Sequence, residues 1–379
     1  MKRKAMFVSL LLMAAFLAAA PGAEASNTWY ANGVSGSDSN NCRSAQTACK
    51  TIGHAISLAS SGDSIIVAAA TYHENLTITI GLAIVGSGAT TTIIDGGGVN
   101  TVVSINNTSN TTPHVGLAGL TIQNGAGYGG GGIRSSGALL VITNTSIRSN
   151  SAKPGISGAA AGAGIYNDES TLVINNSTIS GNTARGGTVC ERLCSGSAQG
   201  AGIYNHTYTK QATLTLNNST VSGNNAISGR LGSSGGAISG SGSVTISNST
   251  ISGNSAASTG GISGPATVQN SIVANNSGGN CAGALTSKGY NLSSDDTCKL
   301  NGPGDMNNTD PLLGPLQNNG GPTQTMALLP GSLAIDAGNP SGCTDGQGRL
   351  LKTDQRGEPR LDKEDTGGCD IGAYELQGD

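Results

Sequence analysis

The chain has 379 residues, a formal net charge of −3, only 11% charged and 3% aromatic residues, and 60 glycines. No stretch interleaves basic and aromatic residues, which argues against nucleic-acid binding. Disorder is also excluded, because Leu and β-branched residues recur at strict spacing, which a disordered tract does not maintain.

Lys2, Arg3 and Lys4 precede an apolar run over residues 6–20, and Ala23-Glu24-Ala25 supplies a small-x-small cleavage pattern. Residues 1–25 therefore read as a secretory signal peptide. No later stretch approaches the roughly 20 apolar residues of a membrane span, so no transmembrane segment is expected in the mature chain. Residues 97–302 hold nine Lys/Arg against five Asp/Glu, whereas residues 303–379 hold five against twelve. That shift places a boundary near Gly302-Pro303-Gly304, giving units over 26–302 and 303–379. Eight cysteines in an exported chain imply disulfides. Neighbours in sequence are the simplest pairs: Cys42 with Cys49, Cys190 with Cys194, Cys281 with Cys298, and Cys343 with Cys369. No Cys or His cluster has zinc-ligand spacing.

Residues 26–50 are polar and glycine-rich. Over 51–60, Ile52, Ala55, Ile56 and Ala59 fall at helical spacing, and Gly62-Asp63 ends that short helix before a first strand at 64–67. A small amphipathic helix here suits the cap that an open strand stack needs. From Leu76 onward, short alternating runs are separated by glycine or Asn clusters, with no helix-period segment.

One stretch is then written five times: Asn144–Asn150, Asn176–Asn182, Asn218–Asn224, Asn248–Asn254 and Asn270–Asn276. Two residues before each first Asn stand Ile142, Ile174, Leu216, Ile246 and Val268. Three residues after it stand Ile147, Ile179, Val221, Ile251 and Val273. A third apolar column, Ile133, Ile165, Ile203, Ile238 and Ile262, follows the glycine clusters. The intervals between first Asn residues are 32, 42, 30 and 22. A propeller blade needs about 40–45 residues and aromatic anchors, while 22 residues suit one coil of three short strands. If equivalent strands pair, like side chains stack about 4.8 Å apart, and Asn amides bond up and down the pile. The fold class is all-β: a right-handed parallel β-helix with a short N-terminal capping helix and an irregular C-terminal cap.

The run Cys49-Lys50-Thr51-Ile52-Gly53-His54-Ala55-Ile56, continuing to Tyr72-His73-Glu74, is similar to the first segment of many secreted bacterial β-helix proteins of the pectin-lyase-like group. Further on, Asp310-Pro311-Leu312-Leu313-Gly314, Asn319-Gly320-Gly321-Pro322-Thr323, Ala334-Ile335-Asp336-Ala337-Gly338, Asp354-Gln355-Arg356-Gly357 and Cys369-Asp370-Ile371-Gly372-Ala373-Tyr374-Glu375 resemble a choice-of-anchor Q module. The resemblance implies an extracellular protein, secreted or attached to the cell surface. No sorting signal or hydrophobic tail follows the module, so release is the simpler expectation. It also implies the chemistry to look for: clustered Asp ligands for Ca²⁺ with an Arg or Lys base in lyases, three Asp in hydrolases, and paired Asp with Gln and Arg in esterases.

Such chemistry requires ionisable groups that converge. Between Gly96 and Leu292 the only acids are Asp168, Glu169 and Glu191. Adjacent Asp168 and Glu169 face opposite ways on a strand, and solvated turn acids are their plainer reading, with Lys210 or Tyr204 as possible partners on the next coil. Gly162-Ala163-Gly164-Ile165-Tyr166 and Gly200-Ala201-Gly202-Ile203-Tyr204 are packing glycines rather than a nucleotide fingerprint, since no helix follows. Most of the excess repeat length falls after the second Asn, in 151–161, 183–199 and 225–235. Loops inserted at one corner project from one side of a solenoid, often its binding side.

These loops and their borders carry Arg148, Lys153, Arg185, Arg192 and Arg230, read as a basic shelf for an acidic glycan, with Tyr166 and Tyr204 as an outward stack. Asp295, Asp296, Asp305 and Asp310 are candidate oxygen ligands for Ca²⁺; no other cofactor is implied. Asp354, Arg356, Arg360 and Asp370 read as structural pairs. The expectation is a monomeric β-helix that binds extracellular carbohydrate or mediates surface contact without catalysis, the alternative being a polysaccharide lyase or glycoside hydrolase.

Overall fold

The computed structural model describes residues 26–108, 111–155, 158–187, 196–229, 232–360 and 368–378. The signal-peptide reading and the Cys190–Cys194 pairing lie outside these residues, as do Arg192 and Arg230. The described residues are mostly β, with one short helix among them at Ile52–Leu58. Three long parallel sheets, called A, B and C here, contain ten, nine and eight strands and wind into a β-helix. A representative coil runs through Thr171–Asn175 in sheet A, Thr178–Ser180 in B and, after the insertion, Ile203–His206 in C.

Within these three sheets neighbouring strands pair in parallel, each with its equivalent one coil away. Ile142 pairs with Ile174, Ile147 with Ile179, and Ile165 with Ile203, which are the columns expected from the repeats. Their side chains are buried in one continuous core, each contributing roughly 1.5–3 kcal/mol by leaving water. The first Asn of each repeat turns the corner between A and B in a left-handed conformation, with φ of 47–50° from Asn144 to Asn270, a region that Asn tolerates better than most residues. Beside it, the Ser177, Ser219, Ser249 and Ser271 hydroxyls accept N–H bonds from the preceding coil. The second Asn forms the amide ladder: Asn150 Nδ2 donates to Asn182 Oδ1 at 3.0 Å, Asn182 to Asn224 at 2.9 Å, and Asn224 to Asn254 at 2.9 Å.

Three features depart from the sequence reading. Residues 26–50 contain an additional first strand, Thr28–Ala31, paired with 64–67; at four residues it is too short for its alternation to stand out. The insertions are not simple loops. Their bases extend the coil as two small sheets, D (through Ser151–Ala152 and Thr183–Arg185) and E (through Ala160–Ala161 and Ala198–Gln199). These face each other across buried alanines, including Ala152, Ala160, Ala184 and Ala198, and form a ridge along the solenoid.

The third departure is the C-terminal unit. It is irregular, as expected, with one hairpin of Leu313–Gln317 and Thr325–Leu328. Rather than closing the end of the stack, it runs back along the flank of sheet B. Thr178 Oγ1 donates to the Gln324 carbonyl, Thr220 Oγ1 to Gln355 Oε1 at 2.6 Å, and the Ala373 N–H to Thr250 Oγ1 at 3.1 Å. The end itself is closed nearer by, where Cys298 and Leu300 join the core and the Cys281–Cys298 disulfide ties the segment down. The opposite end is covered by the Ile52–Leu58 helix, whose first N–H groups, on Ile52 and Gly53, donate to Glu74 at 2.9 and 2.7 Å. Cys42–Cys49 and Cys343–Cys369 are also bonded.

Candidate functional site

The two described acids in the middle of the stack lie at the end of one strand of sheet C and in the turn after it. Asp168 ends the strand Ile165–Asp168, and its equivalent one coil later is His206. His206 Nδ1 lies 2.9 Å from Asp168 Oδ1, with both side chains about one-quarter exposed. Glu169 follows in a left-handed turn at φ 50°. Its carboxylate accepts the Thr209 and Lys210 N–H groups and the Thr209 hydroxyl. Both acids therefore hold the following coil rather than standing as solvated turn residues.

Aromatic rings surround the pair. Tyr166 and Tyr204 pair in register and their centroids are 5.3 Å apart. Along the strand and past its end, Tyr204, His206 and Tyr208 stack at 5.7 and 6.5 Å with interplanar angles of 18° and 16°. Arg134, one coil before Tyr166, holds its guanidinium 5.6 Å from the Tyr166 centroid. Burial, with the Asp168 charge adding to it, pushes the Tyr166 hydroxyl up to about 12 and raises that of Tyr204, so both remain protonated donors. Tyr208 closes the row with its outer side in solvent, at 82% exposure. The result is an exposed ring stacked on the histidine of a His–Asp pair, with two phenols further along the same face and the cation of Arg134 near Tyr166.

No family model and no curated protein matches the chain. Among solved structures it is similar to pectate lyase Pel9A, with a TM-score of 0.42 and 13% identity over 93% of this chain and 97% of that one. That distance carries no argument about chemistry. The β-helix rests on the strand pairing itself.

The described members of the basic shelf are divided by the ridge from the tyrosines. Arg148 ends Ser146–Arg148 in sheet B, Arg185 ends Thr183–Arg185 in sheet D, and Lys153 follows Ser151–Ala152 there. Lys153 Nζ donates to the Val99 carbonyl at 3.1 Å; none of the three forms an ion pair among the described residues. Beside them a shallow groove is lined by Gly97, Gly98, Asn124, Gly125, Ala126, Ser149 and Ser151. Tyr166 and Tyr204 belong instead to sheet C.

Three of the four candidate Ca²⁺ ligands, Asp295, Asp305 and Asp310, accept bonds from local donors. Asp295 accepts the Thr297 hydroxyl at 2.6 Å, and Asp305 accepts the Asn291 and Gly302 N–H groups at 2.9 and 2.6 Å. Among the described residues the only three-member group of metal-ligating type is Cys42, Cys49 and His54, and its sulfurs are joined in a disulfide.

His206, Tyr208 and Arg134 escaped the sequence reading. A signal was nevertheless present: aligned on Ile165 and Ile203, the runs Ile-Tyr-Asn-Asp and Ile-Tyr-Asn-His put His206 directly over Asp168.

Proposed function

We propose that this is an extracellular β-helix protein that binds carbohydrate on the outward face of sheet C. The observation that carries the reading is the exposed Tyr208 ring stacked on His206, whose imidazole in turn bonds Asp168 and stacks on Tyr204. Sugar surfaces are recognised by an aromatic face together with a few fixed polar groups, and this is where the chain gathers both. Arg134 on this face and Arg148, Lys153 and Arg185 beyond the ridge favour an acidic polymer such as a polyuronate. Three disulfides support an oxidising, extracellular setting.

We also take residues 303–379 to be the choice-of-anchor Q-like module. The residues that suggested it, Asp354, Gln355, Arg356, Asp370 and Glu375, supply much of its buried polar network, as a module defined by its packing requires.

Affinity electrophoresis in gels containing polygalacturonate or a neutral glucan tests the binding. Retardation is expected in the former, and Tyr208→Ala should weaken it at least about fivefold, since loss of a stacked ring typically costs about 1–3 kcal/mol. Unretarded migration, with a glycan array also blank, removes the proposal. Retardation insensitive to Tyr208 but lost on Arg148→Glu and Arg185→Glu moves the site to the other flank.

A further inference from the structure

The Asp168–His206 row does not stop at two coils. The register that pairs Asp168 with His206 continues from Ile203↔Ile238 through Asn205↔Gly240, so the next residue in the row is Ser241, an exposed serine between two glycines. Its hydroxyl is held at the backbone next to His206, accepting the Thr207 N–H at 3.2 Å and donating to the Thr207 carbonyl at 3.3 Å. The imidazole is oriented as well as bonded. It stacks between Tyr204 and Tyr208, which lie along the strand direction. With Nδ1 on Asp168 in the preceding coil, Nε2 is the ring nitrogen left to take a proton, and Ser241 follows in the same row one coil later.

We infer that Ser241, His206 and Asp168 form a hydrolytic site for esters, with O-acyl groups on a polysaccharide as the substrate class. The three residue types occupy the roles that serine ester hydrolysis requires: nucleophile, base, and a carboxylate that fixes the tautomer of the base. Ser241 Oγ attacks the ester carbonyl carbon and passes its proton to His206 Nε2. The carbon–oxygen bond to the sugar breaks, and the sugar oxygen takes that proton. Water then attacks the acyl-serine, giving its proton to His206, and the carboxylic acid leaves as Ser241 recovers its hydrogen. No metal or redox partner is needed. In the free protein Ser241 bonds Thr207 instead of His206. One χ1 step between staggered wells re-aims its hydroxyl, and such contacts commonly tighten only when substrate is bound. The choice of a polysaccharide ester rests on the glycan-binding reading above; the ester chemistry does not.

The test uses the full mature chain with 4-nitrophenyl acetate, O-acetylated xylan and a fluorophosphonate probe. The expected result is fluorophosphonate labelling on the peptide containing Ser241, with acetate released from both substrates. Ser241→Ala should abolish the label, and Ser241→Ala or His206→Asn should each reduce release at least about 100-fold. Asp168→Asn should reduce kcat while leaving KM near its original value, and Thr171→Ala, on the exposed side of sheet A, should change neither. A folded wild-type chain, verified by circular dichroism, that neither labels nor releases acetate between pH 6 and 9 overturns the inference. So does release that survives Ser241→Ala. Hydrolysis of 4-nitrophenyl acetate without retention on any glycan leaves the ester site standing and rejects the carbohydrate reading alone.

Discussion

At the scale of single residues, the stack is governed by a few side chains whose bonding capacity matches their place. Asn224 is fully buried and has both a coil below and a coil above to satisfy. Asn224→Ala should destabilise the protein by on the order of 1–3 kcal/mol for each buried partner left unpaired, read from urea denaturation; a change below about 0.5 kcal/mol would show that the ladder is incidental. Asp63 provides a pH test. Burial opposes its ionisation, but the Ser60 N–H, the Trp29 indole N–H and the Asn27 N–H outweigh that and hold its carboxyl below the ordinary value of 3.8. A carboxylate with a depressed folded pKa contributes stability above its unfolded value, and that contribution is lost as pH falls through the folded value. Melting temperature should therefore drop below about pH 4, and Asp63→Asn should flatten that part of the curve. An unchanged slope would contradict the assignment.

At the scale of elements, close strand approach at the ridge depends on residues without a side chain. A Cβ on Gly202 would stand 2.5 Å from the Ala237 carbonyl oxygen, and one on Gly164 would stand 2.5 Å from that of Gly202. These glycines sit in the two Gly-Ala-Gly-Ile-Tyr runs, whose reading as packing elements holds. Gly202→Ala should lower the melting temperature by several degrees and loosen sheets C and E locally, seen as faster amide exchange at 198–206. Exchange unchanged from wild type would mean that the ridge accommodates the methyl group. The same elements explain why the ridge was legible only as an insertion. Two-residue strands such as Ala160–Ala161 carry no periodicity of their own, and their alanine core exists only after neighbouring coils stack.

At the scale of the whole molecule, the C-terminal unit acts as a lateral brace. Arg360 is fully buried and joins Glu375 at 2.9 Å, Asn218 at 2.8 Å and the Gly372 carbonyl at 2.6 Å, while Asn270 donates to the Asp370 carbonyl at 3.0 Å beside the Cys343–Cys369 disulfide. Arg360→Met should cost about 3–5 kcal/mol, because it leaves the Glu375 charge buried without its partner. Limited proteolysis should then release fragments cut near 340–360; proteolysis identical to wild type would show that the brace is independent of this pair. The repeats by themselves determined the coil, the register of its apolar columns and the corner at which insertions leave it, because parallel stacking forces like residues into line. The pairing of Asp354 with Arg356 was likewise legible, since the partners are close in sequence. Only the tertiary structure decided where the last 70 or so residues lie, because their contacts to Thr178, Asn218 and Thr250 span more than 100 positions. It also decided which side of the ridge each site residue occupies. Tyr166 and Arg148 are only 18 positions apart in sequence, but an alanine-filled ridge that forms only between coils sets them on separate faces.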